Sequence, residues 1–205
     1  MKSKRVCVLG AGNAGLMAAL ILKIERPGLD VYVVGSSEIG IVGVGESSTE
    51  HVNYFRNLLN VSVKDFVKES GCTFKYGVDF RGWTDKRYIH ALTSADDGIR
   101  CGPYHTEPEE LFMYTNMSAS CHPLDLIQPT QLNYEVSETD NFPNQFHFDT
   151  QKFNKFLHTQ LKKHNIRYYD DTINSVKVSE WGDCEAIESQ STRYEADIFV
   201  DASGF

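Results

Sequence analysis

Nowhere does this 205-residue chain hold an apolar run long enough to span a bilayer. Its first basic residues lead straight into a strand-like run, without the apolar core and small-residue cleavage site of a signal peptide. No block of basic residues is present either, and a formal net charge of −8 argues against a nucleic-acid-binding surface. The five cysteines (Cys7, Cys72, Cys101, Cys121, Cys184) never fall into C-x-x-C spacing, and an odd number fits free thiols in a reducing compartment better than a disulfide framework. Cys101, His105, Cys121 and His122 match no zinc-ligand spacing, so no metal is expected. With 41% hydrophobic residues there is enough apolar material for a sizeable core. These absences leave a soluble, cytoplasmic protein whose partner is a small molecule rather than nucleic acid or membrane.

What is present is concentrated in Val6–Gly15, where a β-branched apolar run breaks into glycines and then into a helix-forming stretch, Ala14 to Glu25. Gly10 permits the tight turn, Gly12 lets the backbone approach a pyrophosphate, and Gly15 lets the helix pack closely on the strand. The helix then offers unpaired N–H groups and the positive end of its dipole to a phosphate. A second strand, Asp30 to Val34, completes a β-α-β unit. An acidic residue normally closes this strand and binds the ribose hydroxyls, but here Gly35 stands in its place, which passes ribose contact to Ser36, Ser37 or Glu38.

A second glycine-containing loop, Ile41 to Thr49, leads into a helix with Val52, Phe55, Leu58 and Leu59 on one face. Gly43 and Gly45 suit close approach to a flat ligand, with Val44 between them and Glu46 and Ser47 adding polar groups; an ordinary glycine turn before a capped helix fits the same spacing. Ser62 to Asp65 forms a capping box before Val63, Phe66 and Val67. Phe74 to Trp83 alternates as one half-buried strand, with Lys75 on its polar face. A lysine there is a solvated residue unless its face lines a cavity, in which case it is a cation and donor able to engage an electrophile.

Between Arg87 and Asn144 periodicity fades, apart from a possible short helix over Leu111 to Met117, and so long an insertion covers a binding site or is a disordered excursion. Within it His105, beside Tyr104, is a candidate to stack on an aromatic substrate, and a surface histidine in a loop fits the same sequence. A helix beginning at Asp149 or Thr150 then buries Phe153, Phe156, Leu157 and Leu161. Strands follow at Ile166 to Tyr169, Ile173 to Val178 and Cys184 to Ser189, the last two forming a hairpin. Ala196 to Asp201 is a buried parallel strand whose end, Asp201-Ala202-Ser203-Gly204, returns to the nucleotide. The expected fold is α/β, a Rossmann-like dinucleotide-binding sheet over 1–86 and 145–205 with a substrate-side insertion at 87–144. A chain ending just after such a strand reads as truncated.

Together these stretches resemble the flavin-dependent halogenases, especially the tryptophan halogenase group, in colinear order along the whole chain. The resemblance rests on Gly10-x-Gly12-x-x-Gly15, Gly43-Val44-Gly45-Glu46, the Phe74-Lys75 strand ending in Trp83, and His147-Phe-Asp149 with Asp201 to Phe205. It implies the N-terminal portion of an enzyme in which reduced FAD, delivered by a separate flavin reductase, reacts with oxygen and halide to give hypohalous acid. Lys75 then directs that acid onto an electron-rich aromatic such as an indole, and Gly43 to Thr49 is the strap linking the two compartments. Tyr104-His105 matches a substrate-pocket pair, while Glu107 replaces the aromatic that commonly follows, which argues against tryptophan itself. The strap also lacks the proline that usually follows it. The family's catalytic glutamate, its Trp-x-Trp-x-Ile-Pro signature and its halide-binding glycine turn correspond to sequence beyond Phe205. Two other functions fit part of the pattern: an FAD-dependent aromatic monooxygenase, which needs no Lys75 or halide, and a nucleotide-binding fragment without catalysis.

Overall fold

The computed structural model describes residues 4–43, 46–49, 51–75, 77–82, 88–91 and 145–204. Val44, Gly45, Trp83, Tyr104, His105, the 111–117 segment and most of the 87–144 insertion lie outside them. In chain order the elements are β1 (Arg5–Leu9), α1 (Asn13–Glu25), β2 (Asp30–Gly35), β3 (Glu46–Ser47), α2 (His51–Leu58), α3 (Val63–Ser70), β4 (Thr73–Lys75), β5 (Gly77–Phe80) and β6 (Tyr88–Ala91). They continue as β7 (Gln145–Phe148), α4 (Thr150–Lys163), β8 (Arg167–Asp170), β9 (Ser175–Val178), β10 (Cys184–Glu188), β11 (Arg193–Glu195) and β12 (Ile198–Asp201). The chain divides into two compact units, Met1–Val44 with Thr150–Phe205, and Gly45–Asp149.

The first unit is built on a four-stranded sheet ordered β12-β1-β2-β8, with every neighbouring pair parallel. Strand alternation sends Val6, Val8, Val31 and Val33 to one face and Cys7, Tyr32 and Val34 to the other, all buried. Helix α1 packs on β1 and β2 and against α4, burying Gly15, Leu16, Ala19 and Leu20. The opposite face meets a three-stranded antiparallel sheet, β11-β10-β9, whose Ile187 joins Cys7, Tyr32 and Val34 in one apolar cluster. The parallel sheet is thus covered on both sides, as its continuous apolar strands require.

In the second unit α3 begins at Ser62, whose hydroxyl accepts from Asp65 N at 3.0 Å, and ends at Gly71 with φ 65°. Its buried Phe66 meets Phe146 edge-on at 5.1 Å and Phe148 at 6.2 Å. Those two phenylalanines line one face of β7, the middle strand of the sheet β3-β7-β4. Strands β5 and β6 pair separately as an antiparallel couple.

Two element-level expectations are corrected. Within the single strand expected from Phe74, Thr73–Lys75 (β4) pairs with β7 whereas Gly77–Phe80 (β5) pairs with β6. The last strand is partly exposed, Ile198 to 45%, because it occupies an edge of its sheet. The expected β9-β10 hairpin is present but gains a third strand, β11, whose short Arg-Tyr-Glu sequence carries little periodic signal.

Candidate functional site

In the first unit, the order β12-β1-β2-β8 places the last strand beside the first, on the other side of β1 from β2, and a doubly wound sheet takes its ligand at such a switch of strand order, outside the carboxyl ends of the strands. The residues at those ends of β1 and β12 are Gly10 to Gly15 and Asp201 to Gly204. Ala202 N donates to Leu9 O at 2.7 Å, which holds the second turn to the end of β1, and Gly10 N donates to Val34 O at 2.8 Å, which holds the first to β2. Gly10 has φ +111°, and a Cβ there would stand 2.2 Å from Ala202 O. A Cβ on Gly15 would stand 2.1 Å from Gly10 O, so neither position tolerates a side chain.

Gly12 differs from both. It is the N-cap of α1 in extended conformation, and a Cβ on it would meet nothing within 4 Å. No side chain caps α1 and no acidic residue lies in its first turn. The helix therefore presents unsatisfied N–H groups and positive dipole to an open cradle, an arrangement that suits a diphosphate. Ala14, in the same turn, is exposed.

Helix α4 braces this cradle through residues the sequence reading missed. Asn154, 9% exposed, donates through Nδ2 to Ala11 O at 2.9 Å and to Asn13 Oδ1 at 3.1 Å. Thr150 Oγ1 donates to Gly43 O at 2.8 Å, where Gly43 has φ 140°. The available signal was polar: Thr150 and Asn154 stand at i and i+4 among the buried residues of a helix whose other buried positions are Phe, Leu and Gln160, and a buried polar group demands a partner. Asp201 turns on itself, its Oδ1 accepting from Ser203 Oγ at 2.7 Å and Ser203 N at 3.0 Å, which holds its carboxyl below the usual range. Gly204 follows with φ 81°.

The end of β2 explains the missing acid. A Cβ on Gly35 would lie 2.5 Å from Ala11 Cβ and 2.8 Å from Ala11 N, so the glycine is required for the cradle loop to pass. Ser36 Oγ lies 2.7 Å from Thr172 Oγ1. Ser37 turns to Asp170, donating from N to Oδ1 at 2.8 Å and from Oγ to Oδ2 at 2.6 Å.

In the second unit, Lys75 and Ser47 lie on strands flanking β7, on the same polar face as His147. The Lys75 ammonium crosses β7 to donate to Ser47 Oγ at 2.8 Å and to Ser48 O at 3.2 Å. Ser48 is itself fixed, its N donating to Phe146 O at 2.8 Å and its Oγ accepting from Phe146 N at 2.9 Å. Partial burial lowers the Lys75 pKa below its ordinary value. Burial, and secondarily the Lys75 charge, lower that of His147, which favours a neutral imidazole beside the ammonium. Glu46 is exposed on β3. No group of three or more His, Cys, Asp or Glu side chains suited to a metal ion, and no helix long and apolar enough to cross a membrane, occurs among the described residues.

A family model described as "Tryptophan halogenase" matches residues 5–205. The 7-chloro-L-tryptophan 6-halogenase KtzR of Kutzneria sp. (strain 744) is 24% identical over 226 aligned positions, which cover 97% of this chain and 44% of that protein. The tryptophan 6-halogenase SttH of Streptomyces toxytricini is 23% identical, with 98% of this chain and 44% of that protein covered. The crystal structure of SttH superposes over 100% of this chain and 44% of its own with a TM-score of 0.74 at 22% identity. Xcc4156, a flavin-dependent halogenase from Xanthomonas campestris, matches with a TM-score of 0.72 at 26% identity, covering 100% of this chain and 43% of its own. The chain thus spans about 44% of the length of the curated relatives it matches.

Proposed function

Because this chain belongs to the tryptophan halogenase family, we propose that it is the FAD-binding and lysine-bearing portion of a flavin-dependent halogenase acting on an electron-rich aromatic. The observation that carries the reading is the family match over residues 5–205, with Lys75 held by two acceptors on an otherwise polar strand face. FAD fits the first unit: the open cradle at Gly12 and the uncapped start of α1 suit its diphosphate, with Gly10, Ala14, Gly15 and Asp201 to Gly204 around it. Gly43 to Ser47 are the proposed further contacts to the cofactor. Bound reduced FAD, supplied by a flavin reductase, would activate molecular oxygen, the oxidant that converts halide to hypohalous acid.

The role proposed for Lys75 is donation of a hydrogen bond to the oxygen of that acid. The donor draws electron density from the oxygen–halogen bond as the ring attacks halogen. The oxygen then leaves as water with the proton lost by the ring carbon, so ring and hypohalous acid become halogenated ring and water. Ser47 and Ser48 aim the ammonium and share its charge, and Tyr104 with His105 are the proposed substrate contacts.

The test is bromide incorporation into indoles and phenols by wild type and Lys75→Ala in the presence of FAD and a flavin reductase, with FAD affinity measured in parallel. Loss of brominated product with unchanged FAD affinity is expected. Equal bromination by both proteins would remove Lys75 from the mechanism. The ammonium is the active form in this scheme, so rates should fall as pH rises through the Lys75 pKa, at a midpoint below the ordinary 10.5.

A further inference from the structure

We infer that Asp170, at the end of β8, is the carboxylate that receives the ribose hydroxyls of the bound nucleotide, taking the place of the acid that β2 lacks. The inference rests on the FAD-binding reading of the glycine loop. In a dinucleotide-binding fold the ribose is held where β2 ends, by an acidic side chain that accepts from its hydroxyls. Here β2 cannot carry that side chain, because a Cβ on Gly35 would stand 2.5 Å from Ala11 Cβ and 2.8 Å from Ala11 N. The same contact that makes the cradle compact removes the acid.

The neighbouring strand supplies one. Asp170 is paired directly with Gly35 in the parallel register of β2 and β8. Its carboxylate is drawn toward the residues that follow β2, with Oδ1 accepting from Ser37 N at 2.8 Å and Oδ2 from Ser37 Oγ at 2.6 Å. Tyr168, on the same face of β8, donates its hydroxyl to Gly35 O at 3.2 Å, which ties β8 to the end of β2. The Asp170 carboxylate is thus positioned by the N–H and hydroxyl of Ser37, just beyond β2, while remaining exposed to an incoming ligand. A carboxylate offers about four acceptor sites, so at least one stays open for a ribose hydroxyl. The Ser37 hydroxyl and N–H keep Asp170 ionised well into the acid range. Ser37, expected from sequence to touch the ribose itself, becomes the residue that aims the acid.

Calorimetric titration of the chain with ADP and with 2′,3′-dideoxy-ADP separates ligation from a purely structural role. Wild type should bind ADP at least about tenfold more tightly than the dideoxy analogue. Asp170→Ala should weaken ADP binding by about tenfold to a hundredfold, the range for lost hydrogen bonds to a charged acceptor, and leave the dideoxy analogue unchanged. Asp170→Asn, which retains one acceptor and the side-chain volume, should fall between them. The inference is overturned if wild type binds both nucleotides equally, or if Asp170→Ala and Asp170→Asn weaken both to the same degree, since a structural role cannot read hydroxyls. Absence of binding to FAD and ADP alike in wild type would be a different failure, that of the glycine loop as a nucleotide site.

Discussion

Two glycines three residues or fewer apart in one loop should respond to the same substitution in opposite ways. Gly10→Ala forces an L-residue to φ +111° and places its Cβ 2.2 Å from Ala202 O. Backbone strain of about 1–3 kcal/mol and overpacking of about 1–3 kcal/mol together make a loss of roughly 2–6 kcal/mol, a large part of a typical domain's stability of about 5–15 kcal/mol. Gly12→Ala meets no atom within 4 Å and keeps φ −68°, which alanine adopts freely. Its effect on folding should stay within about 1 kcal/mol, since reduced freedom of the unfolded chain and a poorer N-cap act in opposite directions. Its methyl group, however, fills the cradle in front of α1, and losing diphosphate hydrogen bonds should weaken FAD binding by about tenfold to a hundredfold. Thermal unfolding followed by circular dichroism and FAD titration followed by fluorescence measure the two effects separately. The reasoning fails if Gly12→Ala binds FAD like wild type, or if Gly10→Ala unfolds at the wild-type temperature.

Asn154→Leu leaves Ala11 O and Asn13 Oδ1 without their donor and should cost about 1–3 kcal/mol while weakening FAD binding; unchanged melting and unchanged affinity would refute the brace. Gly35→Glu restores the acid expected on β2 but collides with Ala11, so it should lower the melting temperature and fail to tighten ADP binding; tighter binding by a stable variant would contradict the packing argument. Burial pushes the Cys7 thiol up from 9.0 to about 11 and Cys72 up to about 12. Both raise the folded-state value, so the unfolded chain releases these protons first, and their contribution, complete below pH 9, is lost as pH rises from 9 toward 11. Cys7→Ala should show a shallower decline of melting temperature across that window, and an identical slope would count against the assignment.

The glycine cradle was legible because its geometry is set within a few residues: strand, turn and helix each leave a local signature between Arg5 and Glu25. The same holds for α3, where Ser62 and Asp65 cap in place, and for α4, whose apolar spacing is regular. The partners of Lys75 were not legible. Ser47 and Ser48 meet it only because β7, some seventy residues further along the chain, inserts between β3 and β4. No periodicity within Phe74 to Trp83 announces that pairing, and none marks the change of partner after Lys75. The reason for Gly35 was hidden likewise, since sequence exposes the missing carboxylate but not the Ala11 side chain that excludes it. Asp170 lies far along the chain from the loop it serves and becomes a neighbour of Gly35 only through the parallel register of β2 and β8.

The activity proposed for this family member is transfer of halogen onto an aromatic ring. The most direct measurement is mass spectrometry of the products formed by the protein, expressed from its full reading frame, with FAD, a flavin reductase, NADH, oxygen, bromide and a panel of indoles and phenols. A bromine isotope doublet on an aromatic product is the predicted result. Consumption of NADH and oxygen with only hydroxylated products across the panel would contradict it and assign the site to a monooxygenase.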